Sequence, residues 1–434
     1  MCGILYSQDS NGFSDLEMLK RRGPEVFTEV KDELGYFAHS MLNTIGQNTP
    51  QPYHTKSGIL LYNGSTYNSG KQNDTKWIAD NLDENLNHTM SVIRELNGEY
   101  ALIHVTEKNI VFCVDHFDQR NLWFYHSQSS RKITIASLPN VVQQKHNAAW
   151  RVEGNKIYVI DRTDFSLSVH TNKEWNLKQT KKNFDNVFEE FEKAVKHRHT
   201  PGITATLLSS GLDSGVIACA SHKFFNQIDC ICDPVYELKD VLKERMQIHG
   251  SKLTAHPGGD SAEKIDMFNK IISDSWILEG HEVEPLINIH KKYMKRKKMK
   301  ILLIGAGGDE IYNDHQNQRS GLISGRSNGK WPECLEIIWP WYNHANKLRR
   351  SVSRFDLVCG YFGVEARNPL LDVNLVQSWL NTTNDLKNSG YKSWMVKYLE
   401  QEKYPYSLKK VHWNEEVLPA KDWQKIPKDK FFAS

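Results

Sequence analysis

The stretch Leu207-Leu208-Ser209-Ser210-Gly211-Leu212-Asp213-Ser214-Gly215 decides how this chain is read. Ahead of it, Ile203 to Leu208 is short, largely apolar and β-branched, the pattern of a buried strand. Behind it, Val216-Ile217-Ala218-Cys219-Ala220 opens a helical run. A strand, a tight turn of small residues and a helix N-terminus aim backbone N–H groups at one point, where the helix dipole adds positive potential. Ser209, Ser210 and Ser214 add hydroxyl donors. Asp213 adds a carboxylate that repels phosphate unless a hard cation lies between them, so magnesium is implied. The stretch reads as a pyrophosphate cradle. On these residues alone the alternative is an ordinary Ser/Gly turn between strand and helix.

The loop lacks the Gly-Lys-Ser/Thr ending of a Walker loop. It resembles instead the signature of the ATP pyrophosphatases (PP-loop enzymes), whose common form is Ser-Gly-Gly-x-Asp-Ser. The resemblance implies that ATP is cut between its α- and β-phosphates. It also implies that Leu208, Ser209, Ser210, Gly211, Leu212, Asp213 and Ser214 surround the nucleotide.

Composition bounds the rest. A chain of 434 residues has room for two or three domains, and 39% hydrophobic with 25% charged residues is a globular balance. A net charge of +3 is too small to imply a nucleic-acid partner. The basic run Lys291 to Lys298 reads either as a patch or as the solvated end of a helix before strand Ile301–Ile304. Seven cysteines without metal or disulfide spacing suit a reducing cytoplasm. No membrane span and no signal peptide are read, so the expected compartment is the cytosol.

Along the chain, residues 1–165 read as short alternating strands of a sandwich, clearest at Ile110–Val114, Ile133–Ala136 and Val152–Ile160. Asp161–Leu177 is polar and mixed, and the domain junction is expected there. Phe184, Val187, Phe188, Phe191 and Ala194 then recur at helical spacing. Further apolar strands at Ile228–Cys232 and Ile301–Ile304 argue for a parallel α/β sheet with ligands at the strands' carboxyl ends. After about Gly329 the chain reads as helical and rich in tryptophan.

Cys2, followed by the small Gly3, adds a second line. Removal of the initiator Met leaves a thiol beside a free α-amine, and the amine can act as the base that activates the thiol. Met-Cys-Gly-Ile, Arg22-Gly23-Pro24-Glu25, Gln51-Pro52, Asn63-Gly64, Asn73-Asp74 and Asp115-His116 follow the order seen in class II (N-terminal-nucleophile) glutamine amidotransferases. Such a domain ahead of a PP-loop synthetase resembles the glutamine-hydrolysing asparagine synthetase family, over almost the whole chain. The implied fold is an α+β N-terminal-nucleophile sandwich domain at 1–165. An α/β parallel-sheet PP-loop (adenine nucleotide α-hydrolase-like) domain with a helical C-terminal part follows at 181–434.

Carried over residue by residue, the resemblance implies that Cys2 attacks the glutamine side-chain amide. Asn63 and the backbone N–H of Gly64 would hold the oxyanion, and Asp74 would receive the α-amine. Read alone, Asn63-Gly64 is a plain hairpin turn. Two departures stand out: Met41 replaces an arginine that grips the glutamine α-carboxylate, and Ser65 replaces a glutamate after Asn-Gly. An amidase is still expected.

In the second half, Gly305-Ala306-Gly307-Gly308-Asp309-Glu310 resembles the family's Ser-Gly-Glu-Gly-x-Asp-Glu loop. Gly305 and Gly307 would line the nucleotide, and Asp309 would hold magnesium together with Asp213. Gly363-Val364-Glu365-Ala366-Arg367-Asn368-Pro369-Leu370-Leu371-Asp372 matches an element that is mostly architectural in the family. Lys410 matches a lysine that neutralises phosphate charge. Ala306 replaces a glutamate beside the acyl adenylate, which leaves the acceptor open.

The resemblance therefore implies an ATP- and Mg2+-dependent, AMP-forming amide ligase, with asparagine synthesis from aspartate as its first reading. The alternatives are another carboxylate acceptor, or a weakened nucleotide-binding regulatory homologue. Expected partners are glutamine, ATP and the carboxylate; no nucleic acid or membrane is expected, and a homodimer is left open.

Overall fold

The computed structural model describes residues 1–9, 12–44, 48–68, 70, 73–225, 228–232, 237–250, 254–255, 286–287, 289–312, 331–337, 339 and 344–408. In chain order the first strands are β1 (Gly3–Ser7), β2 (Val26–Asp32), β3 (Gly35–Met41), β4 (Tyr53–His54), β5 (Gly58–Thr66) and β6 (Gly98–Thr106). They are followed by β7 (Asn109–Val114), β8 (Trp123–Ser127), β9 (Lys132–Ala136), β10 (Trp150–Arg151), β11 (Lys156–Asp161) and β12 (Leu167–Thr171). They form two antiparallel six-stranded sheets, ordered β10-β8-β9-β1-β3-β2 and β12-β11-β7-β6-β5-β4.

Strand alternation explains the layering, because successive side chains point to opposite faces. In β1, Ile4 and Tyr6 join the core between the sheets, whereas Leu5 faces the other way with Leu19 and Val141. In β5, Ile59 and Leu61 enter the inter-sheet core, while Leu60 and Tyr62 pack with Ile78, Leu82 and Ile93 from two covering helices. Those helices, Asp74–Asn81 and Leu86–Glu95, are capped by Asn73 and Asn85, whose side chains accept backbone N–H groups.

The run Val152–Ile160 is not one strand, which corrects the sequence reading. Gly154-Asn155 breaks it with a turn, Asn155 taking φ +60°, and only Lys156–Asp161 continues as β11. Strand β12 lies beyond residue 165 and pairs with β11 to finish the second sheet. A polar composition conceals it because β12 is an edge strand, with Val169 exposed.

The third sheet is parallel. Its strands β13 (Thr204–Leu207), β14 (Asp229–Cys232), β15 (Thr254–Ala255), β16 (Ile301–Leu303) and β17 (Glu365–Arg367) lie in the order β15-β14-β13-β16-β17. The helix Asp185–Arg198 precedes it, and Leu212–Phe224 follows β13 directly. In the latter helix every residue from Val216 to Ser221 is buried, which explains its unbroken small and apolar sequence. The helices His344–Tyr361, Val373–Asn381 and Ser393–Gln401 supply the helical remainder. Because β13 and β16 are neighbours, the loops after them meet at one edge of the sheet. No described helix is long and apolar enough to cross a membrane.

Candidate functional site

The first cluster lies at the start of β1. Cys2, Met41, Leu42, Thr44, Gln51, Tyr62, Gly64, Asp74 and neighbouring polar residues line one pocket. The Cys2 N–H donates to Asn63 Oδ1 at 2.9 Å, so Asn63 sits directly beneath the nucleophile candidate. The other end of that amide, Asn63 Nδ2, is buried without a hydrogen-bond partner. Buried polar groups are seldom left so, which singles out this donor beside Cys2. Gly64 has φ +138°, and a Cβ there would lie 1.9 Å from Glu99 O across the β5–β6 pairing, so only glycine fits.

Surrounding residues fix this geometry. Arg22 Nε donates to Cys2 O at 3.0 Å, while its Nη2 pairs with Asp356 at 3.1 Å. Leu42 N–H points at Cys2 Sγ from 3.5 Å, and Ser40 Oγ accepts the Gly3 N–H. Gln51 clasps the backbone of Tyr62 with both ends of its amide, which steadies the strand just before Asn63-Gly64. Burial pushes the Cys2 thiol up from its ordinary pKa, so it is protonated at neutral pH and needs a base. Burial likewise raises Asp74 to about 6, outweighing the N–H of Thr75 that it accepts. Asp115, expected as a motif marker, organises a turn: it accepts the N–H groups of Phe117, Gln119 and Arg120.

The two departures fall in different places. Met41 lines the pocket, and none of the described lining residues is lysine or arginine. Ser65 faces away, toward the second half of the chain. Its hydroxyl donates to Glu365 Oε1 and accepts from Arg367 Nη2, each at 3.0 Å. A carboxylate at position 65 would sit against the Glu365 charge; a hydroxyl bridges both members of the Glu365–Arg367 pair.

The second cluster is the loop after β13. The Ser209 and Ser214 hydroxyls lie 2.6 Å apart, Ser209 N–H donates to Ser214 Oγ, and Gly211 N–H donates to Ser209 Oγ. Leu208 N–H bonds Ile231 O in the next strand, and Leu212 begins the helix that carries Asp213. The loop after β16 packs against it so closely that a Cβ on Gly308 would lie 2.2 Å from Asp213 Oδ1. Gly305 touches the same turn, and Gly307 takes φ +92° with Leu371 beneath it. Asp213 and Asp309, expected together from the sequence, do converge. Between them stands Lys392, with Nζ 2.5 Å from Asp213 Oδ1 and 2.7 Å from Asp309 Oδ1. Burial opposes the lysine's charge, and the two carboxylates more than restore it. Tyr391 OH adds a bond to Asp309 at 3.2 Å.

Two carboxylates on abutting loops fit the protein share of a magnesium site, which takes its remaining ligands from phosphate and water. Lys410 lies outside the described residues. Sequence reading missed Lys392, Arg245 and Glu237. Arg245 reaches across from the helix Lys239–His249 and donates to the carbonyls of Ser209 and Gly211. The only available signal for Lys392 was indirect: two carboxylates expected in contact require a cation between them.

The joint between the halves is ionic and buried. Arg198 pairs with Glu99 at 2.6 Å and with Asp372 at 2.9 Å, and Arg120 with Glu365 at 3.5 Å. Burial acts to raise Glu365, but Arg367, the chain's N-terminal ammonium and Arg120 hold it far below the carboxylate range. Lys300, just before β16, pairs with Glu25 and donates to Asn43 O at 2.9 Å, while Arg367 Nη2 reaches Thr44 Oγ1 at 3.2 Å. Thus Glu365, Arg367 and Asp372 hold the second half against the pocket wall.

No family model matches the chain, and no curated protein matches it. Among solved structures, it is similar to the glutamine phosphoribosylpyrophosphate amidotransferase from B. subtilis complexed with ADP and GMP. That match has 12% identity and a TM-score of 0.28, over 48% of this chain and 54% of the other. A structure described as the allosteric regulatory enzyme of purine biosynthesis matches at 10% identity and a TM-score of 0.30, over 59% of this chain and 74% of the other. The chain therefore spans about half the length of the first of these, 54%.

Proposed function

We propose that this chain is an ATP-dependent, AMP-forming amide ligase in which glutamine hydrolysis feeds ammonia to an adenylated carboxylate. The observation that carries it is the gathering of Cys2, Gly64 and Asp74 around one pocket, with Asn63 bonded to the Cys2 N–H behind it. The same chain brings Asp213 and Asp309 together on abutting loops.

In this reading, removal of Met1 frees the Cys2 amine, which takes the thiol proton as sulfur attacks the amide carbon. The unpartnered Asn63 Nδ2 donates to the developing oxyanion, where a preorganised donor contributes most. Asp74 receives the substrate ammonium. In the second site Ser209 and Ser214 turn their hydroxyls to phosphate, and Asp213 and Asp309 would hold Mg2+. The metal would neutralise charge on the departing pyrophosphate. A carboxylate becomes an acyl adenylate because it is otherwise unreactive toward ammonia. Aspartate is the first acceptor to test, and Ala306 keeps other acids open.

Pyrophosphate release over a panel of carboxylates, with glutamine or ammonium, tests the proposal. Release with aspartate and formation of asparagine support the first acceptor; release with another acid alone reassigns it. Silence with every acid and both nitrogen sources rejects the ligase. Cys2→Ala should abolish the glutamine-driven reaction and spare the ammonium-driven one.

One observation favours a second reading of the amidase half. Without lysine or arginine among its described lining residues, the pocket fits a nitrogen donor that lacks the α-carboxylate. Comparing glutamine with its α-carboxamide separates the two: faster hydrolysis of the carboxamide selects this reading.

A further inference from the structure

Within the nucleotide reading above, three successive backbone donors of the loop are already engaged. Ser209 N–H is taken by Ser214 Oγ at 3.0 Å, Gly211 N–H by Ser209 Oγ at 3.1 Å, and Ser210 N–H by Glu237 Oε2. Two of these acceptors are hydroxyls, which rotate and can themselves become donors when an anion arrives. The third is different. An ionised carboxylate only accepts, and it offers anionic acceptor oxygens of the kind the phosphate would bring to the loop.

Ser210 strengthens the case. It stands where the common PP-loop form has glycine, and its added hydroxyl donates to the same Glu237 oxygen. That hydroxyl also accepts the Leu238 N–H at 3.1 Å, which anchors the residue following the carboxylate. Ser210 is buried at 6% exposure, so its two donors are withheld from bulk water. The substitution at 210 and the carboxylate at 237 thus act as one device.

We propose that Glu237 is a specificity-determining residue that occupies the phosphate seat at Ser210 until a polyphosphate displaces it. A mono-anion reaching this seat exchanges one carboxylate-type bond for another and gains almost nothing. A phosphate chain gains more: it also engages the Ser209 and Ser214 hydroxyls and brings a cation to Asp213 and Asp309. Glu237 therefore raises the threshold equally for every anion that uses this seat, and only a phosphate chain gains enough at the neighbouring groups to pass it.

Calorimetric titration of the full chain with ATP and with pyrophosphate, both with Mg2+, tests this, adenosine serving as the phosphate-free control. Replacing a charged by a neutral acceptor weakens the competing bond, so Glu237→Gln should bind ATP and pyrophosphate about tenfold more tightly. Adenosine affinity should not change. Ser210→Gly removes the hydroxyl anchor and should shift affinity the same way by a smaller factor, providing a second variant if the first does not fold. If the wild-type chain binds ATP and Glu237→Gln binds it equally or more weakly, Glu237 is a brace for the loop and the proposal falls, while the nucleotide reading stands. If neither wild type nor variants bind ATP or pyrophosphate, the nucleotide reading falls and takes this proposal with it.

Discussion

The pocket beside Cys2 and the loop after β13 are organised in opposite ways. In the pocket, neutral groups do the positioning: Asn63 beneath Cys2, Gln51 along Tyr62, Ser40 on Gly3. Its Asn63 Nδ2 donor is unused, and no described lining residue supplies a positive charge. In the loop, charge is everywhere and is matched. Lys392 spans two carboxylates, Glu237 takes the Ser210 donors, and Arg245 covers the carbonyls behind. The described lining of the pocket offers no cation; the loop is complete without a ligand and must exchange partners to accept one. A site of the first kind is improved by adding a charge, and one of the second kind by removing a competitor.

The comparison holds only while both regions share one folded body, and the joint is where it breaks. Arg198→Ala leaves Glu99 and Asp372 buried without their shared guanidinium, a loss of about 3–5 kcal/mol. Urea denaturation should show it; a loss below about 1 kcal/mol would mean that the joint is not a unit. Next in size, Lys392→Met leaves Asp213 and Asp309 facing each other without the ammonium, at a cost of roughly 2–3 kcal/mol. Millimolar Mg2+ should then raise the melting temperature of the variant by several degrees and that of the wild type much less. Equal responses would contradict the self-satisfied loop.

Met41→Arg sharpens the other side. A charged hydrogen bond is worth about 1.5–3 kcal/mol, so KM for glutamine should fall at least tenfold with kcat nearly constant. No change would show that the substrate carboxylate does not lie near position 41. The smallest effect is in pH. Burial raises Asp74 to about 6, so it is charged above that pH and neutral below. KM for glutamine should therefore rise about tenfold per unit as pH falls below 6, and Asp74→Asn should flatten that limb at a high KM.

Much of this was legible in the chain. The stretch from Ile203 to Phe224 gave its strand, turn and helix because the apolar run, the small residues and the helical run are contiguous. Asp213 and Asp309 are paired in the sequence through the resemblance of their two loops to the family's, and the adjacency of the parallel strands β13 and β16 is what brings those loops together. The edge strand β12 was hidden, since one exposed face and an unpaired edge favour polar residues. Val152–Ile160 misled because the apolar pattern continues through a Gly-Asn turn. Lys392, Glu237 and Arg245 were unreadable for a common reason: each acts through a contact made by a distant element, and a single lysine, glutamate or arginine carries no local signature.

Strand β16 has one more consequence. Lys300 at its start touches the pocket wall at Asn43, and Gly305 just past its end touches the Asp213 turn. The span from 300 to 305 is thus a ruler, roughly 17 Å at strand rise. Length added to surface loops leaves that ruler unchanged. A single residue inserted within β16 would displace one region relative to the other by about 3.3 Å and turn every following side chain to the opposite face of the sheet. The separation of the two regions is therefore quantised in residues, and it is written in one of the shortest strands of the molecule.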